Sequence, residues 1–219
     1  MDAVSERLAE VHGGIARALK DAARTDAAQL VAVSKTFDAD AIRPLIAAGQ
    51  RHFGENRVSE AADKWPALTA ETPGIVLHLV GQLQSNKAEA AVRLFDVIHS
   101  VDRPSLVTAL GKAMVASGRR PDCYIQVNIG AEDQKGGCAI ADLPALLAQA
   151  RDAGLPVIGL MCVPPADVEP APYFALLAKL ARDHALAGLS MGMSSDYPTA
   201  VLLGATVVRV GSALFGGRG

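Results

Sequence analysis

Strand-like and helix-like segments alternate along this chain from one end to the other, and this alternation limits the folds open to it. Short runs rich in Val, Ile and Leu recur without polar residues at every second position. That pattern is typical of parallel strands that are covered on both faces. The segments between them carry apolar residues at helical spacing, and several end at a glycine.

A leading helix is predicted over about residues 2–23, because Leu8, Val11, Ile15 and Leu19 follow helical spacing. Eight strand-like runs come after it. They span residues 29–34, 51–54, 75–80, 96–100, 122–128, 156–160, 189–191 and 206–210. Eight β/α units favour a closed (β/α)8 barrel of the TIM type over an open doubly wound sheet. We therefore expect one α/β barrel domain over residues 1–219, with the leading helix added to it.

Charge, apolar runs and cysteines limit the partners and the cellular compartment that can be expected for this barrel. The net charge is −2, which gives no electrostatic reason to expect nucleic acid or an anionic membrane as a partner. The longest apolar runs have strand length, so we expect neither a signal peptide nor a membrane-spanning helix. Cys123, Cys138 and Cys162 are widely spaced. They fit a reducing cytoplasm, without a disulfide framework or a metal site.

The residues that stand out chemically follow the predicted strands. In such barrels the functional groups lie at the carboxyl ends of the strands. The residues in question are Lys35, Glu55, Asn56, Gln82, Lys87, Asn128, Met193, Ser194, Ser195, Arg209, Gly211 and Ser212. Each alone is ordinary loop chemistry, but their convergence on one rim indicates a functional site.

Lys35 follows the apolar run at residues 30–34 directly. A lysine at the end of a strand is either solvated or held in a pocket, and for a lone lysine the solvated state is the more common. An amine held in a pocket loses hydration, which favours the neutral form that condenses with an aldehyde to a Schiff base.

Two loops near the carboxyl terminus have the composition of a phosphate site. Ser194 and Ser195 precede a predicted helix, and Gly211 and Ser212 precede a short stretch at residues 213–216. Glycine permits close backbone approach, and helix N-termini offer free N–H groups to an anion. Loops after strands seven and eight commonly hold phosphate in such barrels. Simple helix caps and turns are the alternative interpretation.

A Schiff-base lysine beside a phosphate site suggests pyridoxal 5'-phosphate (PLP). This cofactor also needs a partner for its pyridine nitrogen, and Arg209 at the end of strand eight is the candidate. Because arginine can only donate, it would hold that nitrogen unprotonated and weaken the ring as an electron sink. Restrained chemistry is then expected rather than transamination.

With these residues in place, the chain resembles the pyridoxal phosphate homeostasis proteins (the YggS/PROSC family), relatives of the alanine racemase N-terminal barrel. The resemblance covers nearly the whole chain. It rests on residues 31–36, 53–56, 78–87, 126–129, 159–161, 189–196 and 208–216. Small departures occur: Ser212 stands where many relatives have Thr, and Ser195 where many have Asp.

The resemblance implies a PLP-binding protein of intracellular vitamin B6 homeostasis, without an established turnover reaction. It implies a Schiff base on Lys35 and a ring-nitrogen partner at Arg209. The cofactor-binding residues would be Lys35, Asn56, Met193, Ser194, Arg209, Gly211 and Ser212. Apo forms of PLP-dependent enzymes are the expected acceptors, and we expect a monomer.

Two other functions remain open. A PLP-dependent amino-acid racemase needs a second base on the opposite face of the reacting carbon. Related racemases supply a tyrosine from an additional C-terminal domain, which we expect to be absent because the sequence ends at Gly219. Tyr197 is then the nearby candidate. A cofactor-free Schiff-base lyase acting on a phosphorylated sugar would leave Arg209 unexplained.

Several further residues have two interpretations. His52, His78 and His99 lie on strands two to four, either as a proton relay in the lumen or as core histidines bonded to their neighbours, which we favour. Glu55 bridges to Lys35, bridges to a group that supports the site from outside, or is an ordinary loop acid. Lys87 is expected to be solvated, and Cys138 is expected to be exposed in its glycine-rich loop.

Overall fold

Eight parallel strands form a closed barrel, as the sequence predicts. A computed structural model of the chain describes residues 3–216. The strands are β1 (Gln29–Val33), β2 (His52–Glu55), β3 (Val76–Leu79), β4 (Val97–Val101), β5 (Asp122–Gln126), β6 (Val157–Met161), β7 (Gly188–Ser190) and β8 (Val207–Val210). Each strand pairs with the next one in sequence, and β8 pairs with β1 to close the barrel. In that closing register Val31 lies opposite Arg209.

Helices surround the strands, and local sequence signals mark where they begin and end. Within residues 3–216 they are α1 (Ala3–Asp21), α2 (Ala39–Ala47), α3 (Val58–Glu71), α4 (Ala88–Leu94), α5 (Pro104–Ser117), α6 (Leu143–Asp152), α7 (Ala171–Asp183), α8 (Tyr197–Leu202) and α9 (Ser212–Phe215). The Asp38 carboxylate caps α2 by accepting a hydrogen bond from the Ala41 N–H at 2.9 Å. Pro104 begins α5, and Gly118 ends it in the left-handed conformation with φ of 69°.

The core has two parts because side chains alternate along each strand. One set points outward and packs under the helices, including the fully buried Leu30 and Phe53, and the ring of Trp65 in α3 packs against the Phe53 ring. The other set points into the lumen. Its buried apolar members are Val31, Val97, Tyr124, Met161 and Val207. The barrel interior is therefore a packed core, and space for a ligand lies at its mouth.

The leading helix covers a flank of the barrel. Helix α1 packs against α2, α8 and α9 and buries Leu8, Val11 and Ile15. The Arg7 Nε donates to the Leu214 carbonyl in α9 at 2.6 Å. The predicted range 2–23 is close to the observed one, and residue 2 lies outside the described residues. Helix α1 thus supports the short helix α9 that follows β8.

Observed strand ends differ from the predicted ones by one or two residues, most clearly in β5. This strand was predicted to reach Asn128 but ends at Gln126. The Asn128 side chain instead donates to the Glu132 carbonyl at 2.8 Å and accepts from the Glu132 N–H at 3.1 Å. The amide side chain therefore closes a turn where the ladder would have continued. Within residues 3–216, we find no helix with the length and apolar character needed to cross a membrane.

Candidate functional site

A cavity of about 600 Å³ opens at the carboxyl ends of β1, β2, β7 and β8. All seven residues predicted to bind a cofactor line it, and they come from segments far apart in sequence. These residues are Lys35, Asn56, Met193, Ser194, Arg209, Gly211 and Ser212. Valines and an aromatic ring provide apolar wall, namely Val33, Val80, Val163 and Phe37. The volume is in the range of small-molecule sites, about 300–1,000 Å³.

Lys35 projects from a strained turn that follows β1. Thr36 next to it has φ of 67°, which is an uncommon backbone conformation for a β-branched residue. The Lys35 side chain is half-buried and forms no hydrogen bond or ion pair with any residue in the described range 3–216. Its amine is therefore available to a molecule in the cavity.

Lys64 of α3, which does not line the cavity, holds this turn in place. Its Nζ donates to the Ser34 carbonyl at 2.9 Å and to the Phe37 carbonyl at 2.8 Å. It also pairs with Glu55 at 2.9 Å and Glu60 at 3.1 Å, and its side chain is 10% exposed. The carbonyls on both sides of Lys35 are thus tied to one buried cation. Sequence patterns do not indicate this role, since Lys64 lies on a helix whose apolar residues have ordinary spacing.

Glu55 does not reach Lys35; of the two bridges considered from the sequence, it forms the one to supporting groups, Ser34 and Lys64. It lies fully buried behind β2, where its Oε1 accepts from the Ser34 hydroxyl at 2.7 Å and from the Trp65 Nε1 at 2.9 Å. The same oxygen pairs with Lys64. Glu55 therefore supports the turn from below instead of acting as a loop acid.

The two loops expected to bind phosphate meet at one point of the cavity wall. The Ser194 hydroxyl accepts hydrogen bonds from the Gly211 N–H at 3.2 Å and from the Ala213 N–H at 3.3 Å. The preceding loop is fixed by Asp196, whose carboxylate accepts from the Met193 N–H at 2.6 Å. The Ser194 oxygen thus occupies backbone N–H groups that would also suit an anionic oxygen.

Arg209 is 5% exposed and its guanidinium reaches the cavity wall. It donates to the Ser190 hydroxyl at 2.7 Å and to the Cys162 carbonyl at 2.9 Å. Burial lowers the pKa of Arg209 from its ordinary value, but an arginine stays protonated in proteins. The site therefore holds a buried cation whose acceptors within the described chain are neutral oxygens.

Three histidines form a hydrogen-bonded row across the lumen. The His52 Nδ1 lies 3.0 Å from the His78 Nε2, and the His78 Nδ1 lies 2.9 Å from the His99 Nε2. The His99 Nδ1 lies 2.8 Å from the Ser190 Oγ. Burial lowers the pKa of His78 to about 3, and that of His99 well below its ordinary value. The rings are thus core histidines bonded to one another, as favoured from the sequence.

The opposite part of the mouth is filled by protein. The Gln82 Nε2 donates to the Gln126 Oε1 at 2.9 Å, and the Gln126 Nε2 donates to the Gly136 carbonyl at 3.1 Å. The Gly137 N–H donates to the Asp102 carboxylate at 3.3 Å. Gln82 and Asn128, which share the predicted rim, therefore do not line the cavity.

Other predicted features have different outcomes. Cys138 was expected to be exposed, but it is 7% exposed, and burial raises the pKa of its thiol to about 12. The expectation was wrong because the Cys138 N–H donates to the Gln126 carbonyl at 2.9 Å and joins the loop to β5. Tyr197 points away from the cavity toward Gly14 of α1. Lys87 is exposed, as expected.

Besides Lys64, sequence reasoning missed Ser190. It is fully buried at the end of β7 and joins Arg209 to the histidine row. A serine inside an apolar strand is a weak signal by itself. The parity of the strand, which sends alternate side chains into the lumen, could have indicated it.

Comparison with known proteins places the chain among relatives of similar length. Residues 16–219 match the family described as "Alanine racemase, N-terminal domain". A pyridoxal phosphate homeostasis protein from Pseudomonas aeruginosa is 40% identical, over 100% of this chain and 97% of the relative. One from Escherichia coli K12 is 36% identical, over 100% and 98% respectively.

Solved structures agree with this assignment. PipY of Synechococcus elongatus, in a structure described as having PLP bound, is 42% identical over 97% of this chain and 100% of its own, with a TM-score of 0.85. An alanine racemase from Clostridium difficile is 13% identical, covers 93% of this chain and 56% of its own, and has a TM-score of 0.69. That second likeness shows a shared barrel fold. The family match and the full-length relatives together show that this chain belongs to the family of pyridoxal phosphate homeostasis proteins.

Proposed function

We propose that this protein binds PLP for intracellular PLP homeostasis and holds it as a Schiff base on Lys35. The observation that carries the proposal is the cavity itself, which brings an unpaired amine, a buried guanidinium and two backbone-rich loops together. The PLP-bound structure of PipY, 42% identical to this chain, supports the choice of cofactor. Lys35 would hold the bound cofactor through its Nζ, which would form a C=N bond with the aldehyde carbon as one water leaves.

The cavity fits the three chemical ends of the cofactor. The Gly211 and Ala213 N–H groups, with the Ser194 and Ser212 hydroxyls, suit the phosphate. A bound phosphate would accept from these N–H groups in place of the Ser194 oxygen. The Ser194 hydroxyl would then donate its proton to the phosphate. Lys35 lies on the opposite loop and suits the aldehyde.

Arg209 suits the pyridine nitrogen, since it presents N–H donors and has no carboxylate partner among residues 3–216. Bound PLP supplies an aldehyde and an electron-withdrawing ring. Because Arg209 only donates, it would hold the ring nitrogen unprotonated and restrain the electron-withdrawing power of the ring. Asn56 and Met193 would contact the ring, and the Asn56 side chain forms no hydrogen bond within the described residues.

We propose that the protein performs no demanding catalysis. Among the described residues that line the cavity, the ionisable side chains are Lys35 and Arg209. Racemisation needs a second base, and arginine cannot serve as one here. Tyr197, the candidate from the sequence, packs toward α1. These observations favour binding and release over turnover.

We propose further that residues 1–219 act as one PLP-binding domain in the cytoplasm and pass PLP to apo forms of PLP-dependent enzymes. Cys123, Cys138 and Cys162 are free thiols, which fits a reducing compartment. The cavity opens to solvent at the barrel mouth, so an acceptor need not unfold the donor. A monomeric state stays a prediction.

A transfer assay tests this proposal. The PLP-loaded protein is mixed with an apo PLP-dependent enzyme, and recovery of the acceptor's activity is followed against an equal amount of free PLP. We expect transfer from the wild type, and no loaded protein to start from with Lys35→Ala. Absence of a visible cofactor band in reconstituted wild type would overturn the proposal. Sustained conversion of L-alanine to the D-form would replace it with racemase activity.

A further inference from the structure

A continuous line of polar side chains runs through the lumen from the start of β2 to the cavity. It joins His52, His78, His99, Ser190 and Arg209 through four hydrogen bonds of 2.7–3.0 Å. We call these five residues the lumen column. His78, His99 and Ser190 are buried, and His52 at the far end is half-buried. Three imidazoles in a packed apolar core are costly unless every ring nitrogen is satisfied.

The direction of the hydrogen bonds in the column follows from Arg209. Its guanidinium can only donate, so the Ser190 Oγ accepts from it at 2.7 Å. The hydroxyl proton of Ser190 then has one acceptor among its contacts in the described chain, the His99 Nδ1 at 2.8 Å. The reverse arrangement would leave that proton buried without a partner.

The orientation passes from ring to ring because each neutral imidazole has one donor and one acceptor nitrogen. His99 accepts at Nδ1, so its proton lies on Nε2 and is donated to His78. His78 in turn donates from Nε2 to the His52 Nδ1. Burial favours the neutral form of both inner rings, as the lowered pKa values of His78 and His99 indicate. All three rings thus share the Nε2–H tautomer.

This order has an electrostatic consequence at Arg209. The Ser190 O–H and the three Nε2–H groups all point their hydrogens away from the cavity. The negative end of each of these dipoles therefore faces the guanidinium. Arg209 has no ion-pair partner within residues 3–216, and its other acceptor is the Cys162 carbonyl. Aligned dipoles stabilise a buried cation without neutralising it. A carboxylate at the position of Ser190 would instead pair with the guanidinium and cancel its charge.

We propose that the lumen column is a polarised relay that fixes the guanidinium of Arg209 and leaves its positive charge to the cofactor's ring nitrogen. Ser190, His99, His78 and His52 are then positioning residues for Arg209. The part of this inference that concerns the ring nitrogen rests on the proposed PLP function. The order of the column itself is a property of the protein without ligand.

The first test uses the unliganded protein and nitrogen NMR of ¹⁵N-histidine. We expect His99, His78 and His52 to show protonated Nε2 and unprotonated Nδ1 at neutral pH. Protonated Nδ1 at His99 would overturn the relay. We also expect slow exchange of the Arg209 side-chain N–H protons in the wild type and fast exchange in Ser190→Ala. Equal exchange in both would show that Ser190 does not fix Arg209.

The second test is a PLP titration with matched serine variants. Ser190→Ala should weaken PLP binding about tenfold, the loss expected for one hydrogen bond to a charged group. It should also move the visible band of the bound cofactor, whereas Ser190→Thr keeps the hydroxyl and should restore both. Ser100→Ala is the control, because Ser100 is a buried neighbour of His99 whose hydroxyl has no partner in the described chain.

The outcomes separate the relay from the cofactor assignment. Wild type that binds no PLP contradicts the proposed function, and the NMR measurements still decide the order of the column. Wild type that binds PLP with Ser190→Ala unchanged in affinity and spectrum contradicts the relay alone. Loss of folding in Ser190→Ala would show in its NMR spectrum, and Ser190→Thr then carries the test: the relay requires wild-type affinity for it.

Discussion

The two sides of the barrel mouth contain similar polar residues and use them in opposite ways. On the side of β3 to β6, Gln82, Gln126 and Asn128 bond to each other or to the loop that follows β5. On the side of β1, β2, β7 and β8, Lys35 and Asn56 form no side-chain hydrogen bond within the described residues. We call these the filled side and the open side.

The difference shows where binding capacity remains. Polar groups on the filled side already bond to protein partners, so a ligand would have to break those bonds. Groups on the open side gain partners when a ligand arrives. The open side is also the supported one, because Lys64 and Glu55 hold its turn from behind. The rim residues look alike in the sequence, but those on the filled side stabilise the structure and those on the open side are available to a ligand.

The largest difference between the two sides is expected for the lysines that tie loops to carboxylates and carbonyls, Lys64 on the open side and Lys135 on the filled side. Lys64→Met breaks a buried pair with Glu55 and releases the turn of Lys35. We expect a loss of about 3–5 kcal/mol in the free energy of unfolding, since the buried Glu55 carboxylate is left uncompensated. The yield of covalently bound PLP should fall in the variant that remains folded. Denaturant unfolding and the visible band measure the two effects.

Lys135→Met on the filled side is the matched control. The Lys135 Nζ contacts Glu132 at 2.6 Å and the Pro164 carbonyl at 2.8 Å, with the side chain 28% exposed. We expect a loss under about 1 kcal/mol and unchanged PLP binding. Equal losses for the two lysines would remove the distinction between the sides.

Acid should lower the stability of the folded protein through the buried histidines of the lumen. Burial holds the pKa of His78 at about 3, while an unfolded chain has about 6.5. Below pH 6.5 the unfolded state therefore binds more protons, so stability is fully present above that pH and decreases as pH falls toward 3. For His78 the loss at pH 5 is about 2 kcal/mol.

The measurement is denaturant unfolding from pH 7 to pH 4. His78→Gln should flatten the slope of stability against pH by up to about 1.4 kcal/mol per pH unit. Ser100→Ala changes a buried residue of β4 without a titrating group and should keep the wild-type slope. A slope in His78→Gln as steep as that of the wild type would contradict the buried neutral ring.

Asn56 and Asn128 give the smallest but sharpest comparison, because the same side chain follows a strand on each side. Asn56→Ala should weaken PLP binding severalfold and leave unfolding unchanged. Asn128→Ala should lose about 1 kcal/mol of stability, because its two bonds to Glu132 disappear, and should keep PLP affinity. Titration and unfolding of both variants provide the test, and the reverse pattern would exchange the roles of the two sides.

The barrel could be predicted from the sequence because each strand and each helix has a recognisable local pattern of apolar residues, and these patterns alternate eight times. The residues around the cavity could be placed on one rim for the same reason. What local patterns do not contain is which rim residues bond to each other, so the division between Asn56 and Asn128 was not predicted. Lys64 and Ser190 were missed because their roles depend on contacts across 30 and 19 residues of sequence, to Ser34 and Arg209.

The exposure assigned to Cys138 failed for a related reason. Its glycine-rich loop predicts mobility, but a backbone bond from Cys138 to Gln126 fixes it against β5. Loops that fold back onto a barrel strand obtain order from partners distant in sequence. Composition gives no account of such partners.

The central claim is that Lys35 binds PLP covalently, and borohydride trapping tests it most directly. Protein incubated with PLP is reduced, digested and analysed by peptide mass spectrometry. We predict one stable phosphopyridoxyl addition, on the peptide that contains Lys35, and none in Lys35→Ala. Modification located on another lysine instead, or no modification at one equivalent of PLP, would contradict the account.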